Sequence, residues 1–283
     1  MNCMIEQYGF GPREKLLIIH ADDVGMCHSA NKATFEAFRK GILSSCSLMI
    51  PCPWILEAAE FFKENPGYDH GIHSTLTSEW RFYRWGPVAP KNLVPSLLDD
   101  QGYLWRRASD AARARVEEVE LELRAQVKRS FELGFKPSHL DTHMGTVYQR
   151  PVLLRTYMKV AVEHGLRPML VKPSAEIVRR ALEEGVVLPN GLVKEMESLG
   201  TPMLDELYTE IPGDDFQERI RGFRAILARL RPGTVNQVIV HLGLDDEELR
   251  AAIRGKHYIK RYLDYRLVTS PEAAKLVEEY GVT

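Results

Sequence analysis

Long apolar runs are missing from this 283-residue chain, and so are dense blocks of one charge. The first absence leaves no segment of transmembrane length. The second, with 37 Lys and Arg against 39 Asp and Glu and a net charge of −2, removes the electrostatic case for nucleic acid or an anionic membrane as partner. Cysteine is scarce. Cys3, Cys27, Cys46 and Cys52 form no CxxC pair and no zinc-finger spacing, and Cys27 reads as a small space-filler rather than a nucleophile. No dinucleotide-binding glycine fingerprint and no P-loop is present, which weakens a nucleotide reading. Residues 1–10 are too polar for a secretory apolar region, so the expected compartment is a reducing cytoplasm. With no internal repeat and no Pro/Gly/Ser linker, a single domain over residues 1–283 is expected.

What is present is ordinary soluble-protein chemistry, 45% hydrophobic and 27% charged, arranged as short β-rich runs alternating with helical patterns. That alternation predicts an α/β architecture of about seven βα units, an irregular TIM-like barrel rather than a doubly wound sheet. Strands are expected over 15–20, 45–50, 70–76, 137–143, 168–171, 206–211, 236–242 and 266–269. Between them, Ser29 is placed as the cap of a helix that Gly41 stops, with Phe35 and Phe38 facing inward. Further helices are expected over 54–65, 109–133, 157–164, 176–184, 216–230 and from Pro271. In the 109–133 helix, Val116, Val119, Leu123, Val127 and Phe131 recur at helical spacing, with charges opposite. The stretch 77–107 has poor periodicity and carries many Pro, Trp and Arg residues. Loops that long inside compact domains tend to be functional.

The chemistry gathers at strand ends. Asp22 and Asp23 close the first apolar run; adjacent acids in such a place repel each other and lose solvation, an arrangement that a cation or a shared proton makes favourable. A helix cap is the plainer reading of a lone Asp, but the pair suits one carboxylate on a metal and the other facing an attacking water. His73, His143 and His241 end three later runs. In a parallel βα barrel those positions converge at one mouth. Gly71 lies on the same strand face as His73 and permits close approach. His139, Asp141 and His143 share a side by period-two alternation, and Asp141 fits the acid that orients a ligating histidine from behind. As an isolated histidine, His73 is more often a satisfied core residue than a ligand, and for His241 the two readings are about even. The loop sequence from Ser78 to Gly86 holds four aromatic residues and two arginines. Trp80, Arg84 and Trp85 are its candidates for lining a sugar substrate, with Tyr103 and Trp105 on the same rim. Anchoring of the loop itself is the alternative.

The run His20-Ala-Asp-Asp-Val-Gly25 resembles the Asn-Ala-Asp-Asp-Phe-Gly signature of the YdjC-like carbohydrate deacetylases, relatives of the polysaccharide deacetylases. Asn31, Gly41 and Ser45 follow at that family's intervals. Gly71-Ile-His73 is similar to its Gly-Leu/Met-His element, His139-Leu-Asp-Thr-His143 to its His-Leu-Asp-Ser-His element, and His241-Leu-Gly243 to its His-Pro-Gly/Ala turn. The likeness spans nearly the whole chain. It implies an irregular (β/α) barrel that hydrolyses the acetamide of an N-acetylated sugar with one divalent metal ion. It further implies Asp23, His73 and His143 as metal ligands, Asp22 as general base, and His241 as acid or substrate contact. Two histidines and a carboxylate suit zinc or cobalt; the family also allows magnesium. His20, Val24 and Leu242 stand where the family has Asn, Phe and Pro. These changes cluster around the pocket and bear on which sugar is bound.

Two rivals follow from the same residues. A metal-dependent phosphoesterase would want cations to grip a phosphate, and Arg81 and Arg84 are the nearest on the chain. A non-catalytic sugar-binding protein would have no use for both Asp22 and Asp23. Exposed aromatic residues are compatible with a homodimer.

Overall fold

A computed structural model describes residues 4–183, 189 and 191–283. Seven parallel strands form one sheet: β1 (Lys15–Val24), β2 (Ser45–Leu48), β3 (Asp69–Ser74), β4 (His139–Thr142), β5 (Arg167–Pro168), β6 (Glu206–Tyr208) and β7 (Thr234–His241). Their spatial order is β5-β4-β3-β2-β1-β7-β6. An isolated parallel bridge between Val171 and Leu204 joins the chain beyond β5 to the chain before β6, so the two edges of the sheet meet. The result is a barrel-like curl with helices outside, whose strands all deliver their C-terminal ends to one mouth. Central strands are buried on both faces, as parallel sheets require: β2 is buried throughout and β1 nearly so. No helix among the described residues is long and apolar enough to cross a membrane.

The helices follow the apolar pattern, and several expected elements are corrected. The expected strand at 266–269 is instead the end of the helix His257–Val268; Leu263 and Leu267, four residues apart, face the core together with Val268. Two β-branched or aliphatic residues in a row misled the period-two reading there. Ser29 does not cap its helix His28–Lys40 by its side chain. The first free N–H groups, of His28 and Ser29, instead donate to the Glu248 carboxylate at 3.2 and 2.6 Å, and an acid 219 positions away satisfies the helix start. Within the long expected helix, the regular part is Val116–Glu132; Phe131 is exposed, and Glu118, Glu122 and Gln126 are buried beside Val119, Leu123 and Val127. These polar side chains hold the chain from Thr75 onward from behind. Glu122 accepts the N–H groups of Val88 and Ala89 at 2.9 and 2.8 Å, Glu118 accepts Ser96 N–H at 2.7 Å, and Gln126 bonds Thr75 N–H and C=O at 2.9 and 2.7 Å. The strand expected at 168–171 narrows to Arg167–Pro168 plus the single bridge at Val171. The helix expected over 176–184 runs Glu176–Glu183, and residue 184 lies outside the described residues.

Candidate active site

The strand register assembles the site. Asp22 lies opposite His241 in the β1–β7 pairing, which stays regular to that point. On the other side, the β1–β2 register shifts between Ala21 and Val24. That bulge falls at the acidic pair, and Asp23 takes the left-handed conformation with φ 68°. Neighbouring residues of a regular strand point to opposite faces; the bulge and the left-handed turn bring both carboxylates to one place. Asn31 braces the turn: its Oδ1 accepts Gly25 N–H at 2.6 Å while its Nδ2 donates to Trp54 C=O and Glu57. Across the barrel, His73 pairs in register with Asp141, and His143 opens the turn after β4.

Three donor atoms then form a near-regular triangle. His143 Nδ1 lies 3.2 Å from His73 Nε2 and 3.1 Å from Asp23 Oδ1, and His73 Nε2 lies 3.5 Å from Asp23 Oδ1. Asp23 Oδ1 is buried and without a hydrogen-bond partner among the described residues. A buried carboxylate oxygen needs positive charge beside it. The His143 ring at 3.1 Å supplies it in the metal-free site, and a bound cation would supply it once the imidazoles are neutral. Four-coordinate bonds of about 2.0–2.1 Å place neighbouring ligands about 3.3 Å apart. The triangle fits a bound divalent cation on both counts. Two further groups of donors lie against it, Asp22 with His73 and Asp141, and His20 with His139 and Asp141.

Each histidine of the triangle has its far side occupied. His73 Nδ1 donates to Asp141 Oδ1 at 2.6 Å, which leaves Nε2 for the cluster. The acid expected to orient a ligating histidine does so across strands rather than along its own. His143 Nε2 meets Glu79 Oε2 at 3.0 Å. Asp23 Oδ2 forms an ion pair with the buried Arg261 guanidinium, a contact spanning 238 positions. Arg261 comes from the His257–Val268 helix, where Asp264 also accepts the backbone N–H of His241 at 3.1 Å and pairs with the buried Arg219 at 2.6 Å.

The electrostatics divide the two aspartates. Burial raises Asp22 to about 6, with Asp141 and Asp23 adding to the rise against His73 and His20. Burial would raise Asp23 as well, but the Arg261 guanidinium and His143 outweigh it and hold that carboxyl well below its ordinary range. Without a cation, the imidazoles are drawn up against the effect of burial, His73 to about 9 by Asp141 and Asp22, and His143 to about 10 by Glu79 and Asp23. His241 is lowered by its enclosure and by Arg261, His73 and His143; its Nε2 lies 3.9 Å from Asp22 Oδ2 and its side chain is 37% exposed toward the mouth. Burial pushes the Cys27 thiol up to about 12, as a space-filler should be.

The aromatic loop is more self-contained than its composition suggests. The Arg84 guanidinium bonds Ser78 Oγ, Asp99 Oδ2 and Leu104 C=O at 3.2, 2.7 and 2.7 Å. Trp85 is buried, its Nε1 donating to Thr77 C=O at 2.8 Å and its ring centre 6.4 Å from that of His143. Trp105 donates to Ser96 C=O at 2.9 Å, and Tyr103 stacks under Arg84 at 5.2 Å. Trp80 is half-buried and sits 5.9 Å from the Arg261 guanidinium and 6.0 Å from the His257 ring. Glu79 and Arg261 are the site residues that the sequence reading missed. A signal existed for Arg261: with Asp264 it places charge on the same helix face as Leu267 and Val268.

The family model described as YdjC-like protein matches residues 16–279. A carbohydrate deacetylase of Thermus thermophilus is 33% identical, over 98% of this chain and 94% of its own length. A chitooligosaccharide deacetylase of Yersinia enterocolitica is 30% identical, over 95% of this chain and 96% of its own. A crystal structure of an Enterococcus faecalis protein superposes with a TM-score of 0.77 at 23% identity, covering 95% of this chain and 96% of that one, a likeness of fold.

Proposed function

The chain belongs to the YdjC-like family, and from that premise we propose that it is a metal-dependent carbohydrate deacetylase. Its reaction is hydrolysis of the N-acetyl group of an N-acetylated sugar, giving acetate and the free amino sugar. The observation that carries the reading is the triangle of His73 Nε2, His143 Nδ1 and Asp23 Oδ1, with edges of 3.1 to 3.5 Å and an orphaned oxygen at one corner.

In this reading Asp23, His73 and His143 hold one divalent ion. When bound, the ion supplies Lewis-acid polarisation of the acetamide carbonyl and acidifies a water. Two imidazoles and one carboxylate are a donor set that suits zinc or cobalt. Asp22 takes the proton of the attacking water. In the metal-free site burial raises its carboxyl to about 6. Asp141 keeps His73 in one tautomer, and Glu79 does the same for His143. His241, drawn toward the neutral form and partly open to the mouth, serves as a hydrogen-bonding contact to the sugar or to the departing amine. Trp80 offers the rim's aromatic face to the substrate. Arg84 and Trp85 support that rim from inside, and the whole chain works as one barrel around the site.

The phosphoesterase alternative loses force because Arg84 is committed to Asp99. The deciding experiment incubates zinc-loaded protein with a panel of N-acetylated mono- and oligosaccharides and with model phosphoesters. Acetate release that stops on chelation supports the proposal; phosphate release without acetate, or sugar binding with neither product, sinks it.

A further inference from the structure

Resting on the deacetylase reading, we propose that His20 is a positioning residue of this reaction centre, fixing Asp141 and confining Asp22. Barrel interiors are ordinarily filled by branched apolar side chains. Below this site the layer is polar. His20 is 1% exposed, and its Nε2 lies 3.0 Å from Asp141 Oδ2 and 3.4 Å from Asp22 Oδ1. The other oxygen of Asp141 takes the His73 Nδ1 proton at 2.6 Å. One imidazole thus steadies the carboxylate that sets the His73 tautomer and touches the carboxylate read as general base.

His20 is itself wedged. The ring of His139 meets it edge-on, with centres 5.3 Å apart and planes at 65°. His139 is held by Ser138 Oγ at 2.8 Å and stands 3.7 Å from Asp69. Room for that ring exists because residue 71 is glycine: a Cβ there would come within 2.3 Å of it. The stack from Gly71 through His139 to His20 leaves the imidazole little freedom to swing away.

A single N–H cannot point at two acceptors. The shorter contact goes to Asp141, and Asp22 Oδ1 is buried without a hydrogen-bond partner. His20 therefore blocks the base from turning downward while leaving its oxygens free to accept a proton. The short contact commits His20 to Asp141, although its donor atoms also lie close to those of His139.

The test compares His20→Leu, which removes the donor, with His20→Gln, whose amide nitrogen reaches nearly the same point. Zinc stoichiometry, the visible spectrum of the cobalt-loaded protein, kcat and KM are read for each. His20→Leu should still bind one ion, shift the cobalt spectrum, and lose about 10–100-fold in kcat, the usual cost of removing such a supporting partner, with KM within about twofold. His20→Gln should recover most of both the spectrum and kcat. Equal impairment of the two variants would reduce His20 to packing. An unshifted cobalt spectrum in His20→Leu, or two ions in the unaltered protein of which the variant loses one, would overturn the proposal. The spectrum and stoichiometry need no substrate, so a failure of acetate release in the unaltered protein would count against the deacetylase reading and leave this test standing.

Discussion

Two kinds of structure meet at the cluster. Asp22, Asp23, His73, Asp141 and His143 arrive on or just after the C-terminal ends of β1, β3 and β4, with β2 between the first two of these strands. Glu79 and Arg261 arrive from outside the sheet, one from an irregular stretch of loop and the other from a helix near the end of the chain. The strand set supplies the donor triangle. The outer set supplies charge behind it: Glu79 behind His143, and Arg261 behind Asp23. The comparison teaches that the sheet decides where the three donor atoms meet, while the periphery sets the charge that stands behind each of them.

The sharpest way to break that division lies within the strand set. Asp23→Ala is expected to abolish tight metal binding. Asp22→Asn should retain one ion and lose about 10²–10⁴-fold in turnover, the range for removal of a general base. Metal analysis alongside kcat separates the two, and equal metal loss in both would end the assignment of roles.

Next comes the periphery. Arg261→Leu leaves Asp23 buried without its guanidinium, and breaking a buried pair from one side costs about 3–5 kcal/mol. Urea melts of the metal-free variant should show that loss, and added zinc should recover part of it by replacing the missing positive charge. Unchanged stability in the metal-free variant would mean that the ion pair is incidental.

The protonation states offer a third probe. Folding raises His73 to about 9 and His143 to about 10 in the metal-free site, above the ~6.5 of an unfolded histidine. The stability these charge pairs contribute to metal-free protein is therefore fully present below about pH 6.5 and is lost as pH rises through 9 to 10. A ligating imidazole must be neutral, so zinc uptake near pH 7 should release about two protons, and affinity should climb with pH across that window. Calorimetry in buffers of different ionisation enthalpy counts the protons; zero release would contradict the paired-imidazole picture. The smallest effect is expected for Glu79→Ala, about tenfold in zinc affinity through a less firmly held His143, read from a competitive chelator titration.

Much of the strand set was legible in the sequence because period-two alternation and apolar runs report directly on register. The His73 and His143 positions followed from that, and so did Gly71, whose missing Cβ makes room for His139. The bulge at Asp22–Asp23 was not legible: alternation places neighbouring acids on opposite faces, and only the left-handed Asp23 brings them together. Partnerships across long separations were invisible for a different reason. Nothing local in Glu248 announces that it will satisfy the start of the helix at His28, or in Arg261 that it will neutralise Asp23. The loop aromatics misdirected attention from Glu79, since Trp85 and Arg84 turn inward to hold the loop. At 266–269, helical packing of Leu263 and Leu267 overrode a short run that reads equally well as strand.

The central claim is that one cation sits among residues drawn from three strand ends. Anomalous diffraction at the zinc edge, from crystals grown with zinc, tests it most directly. A single strong peak about 2 Å from His73 Nε2, His143 Nδ1 and Asp23 Oδ1 is the expected result. A peak among His20, His139 and Asp141 with none at that triangle, or no bound zinc at all, would contradict it.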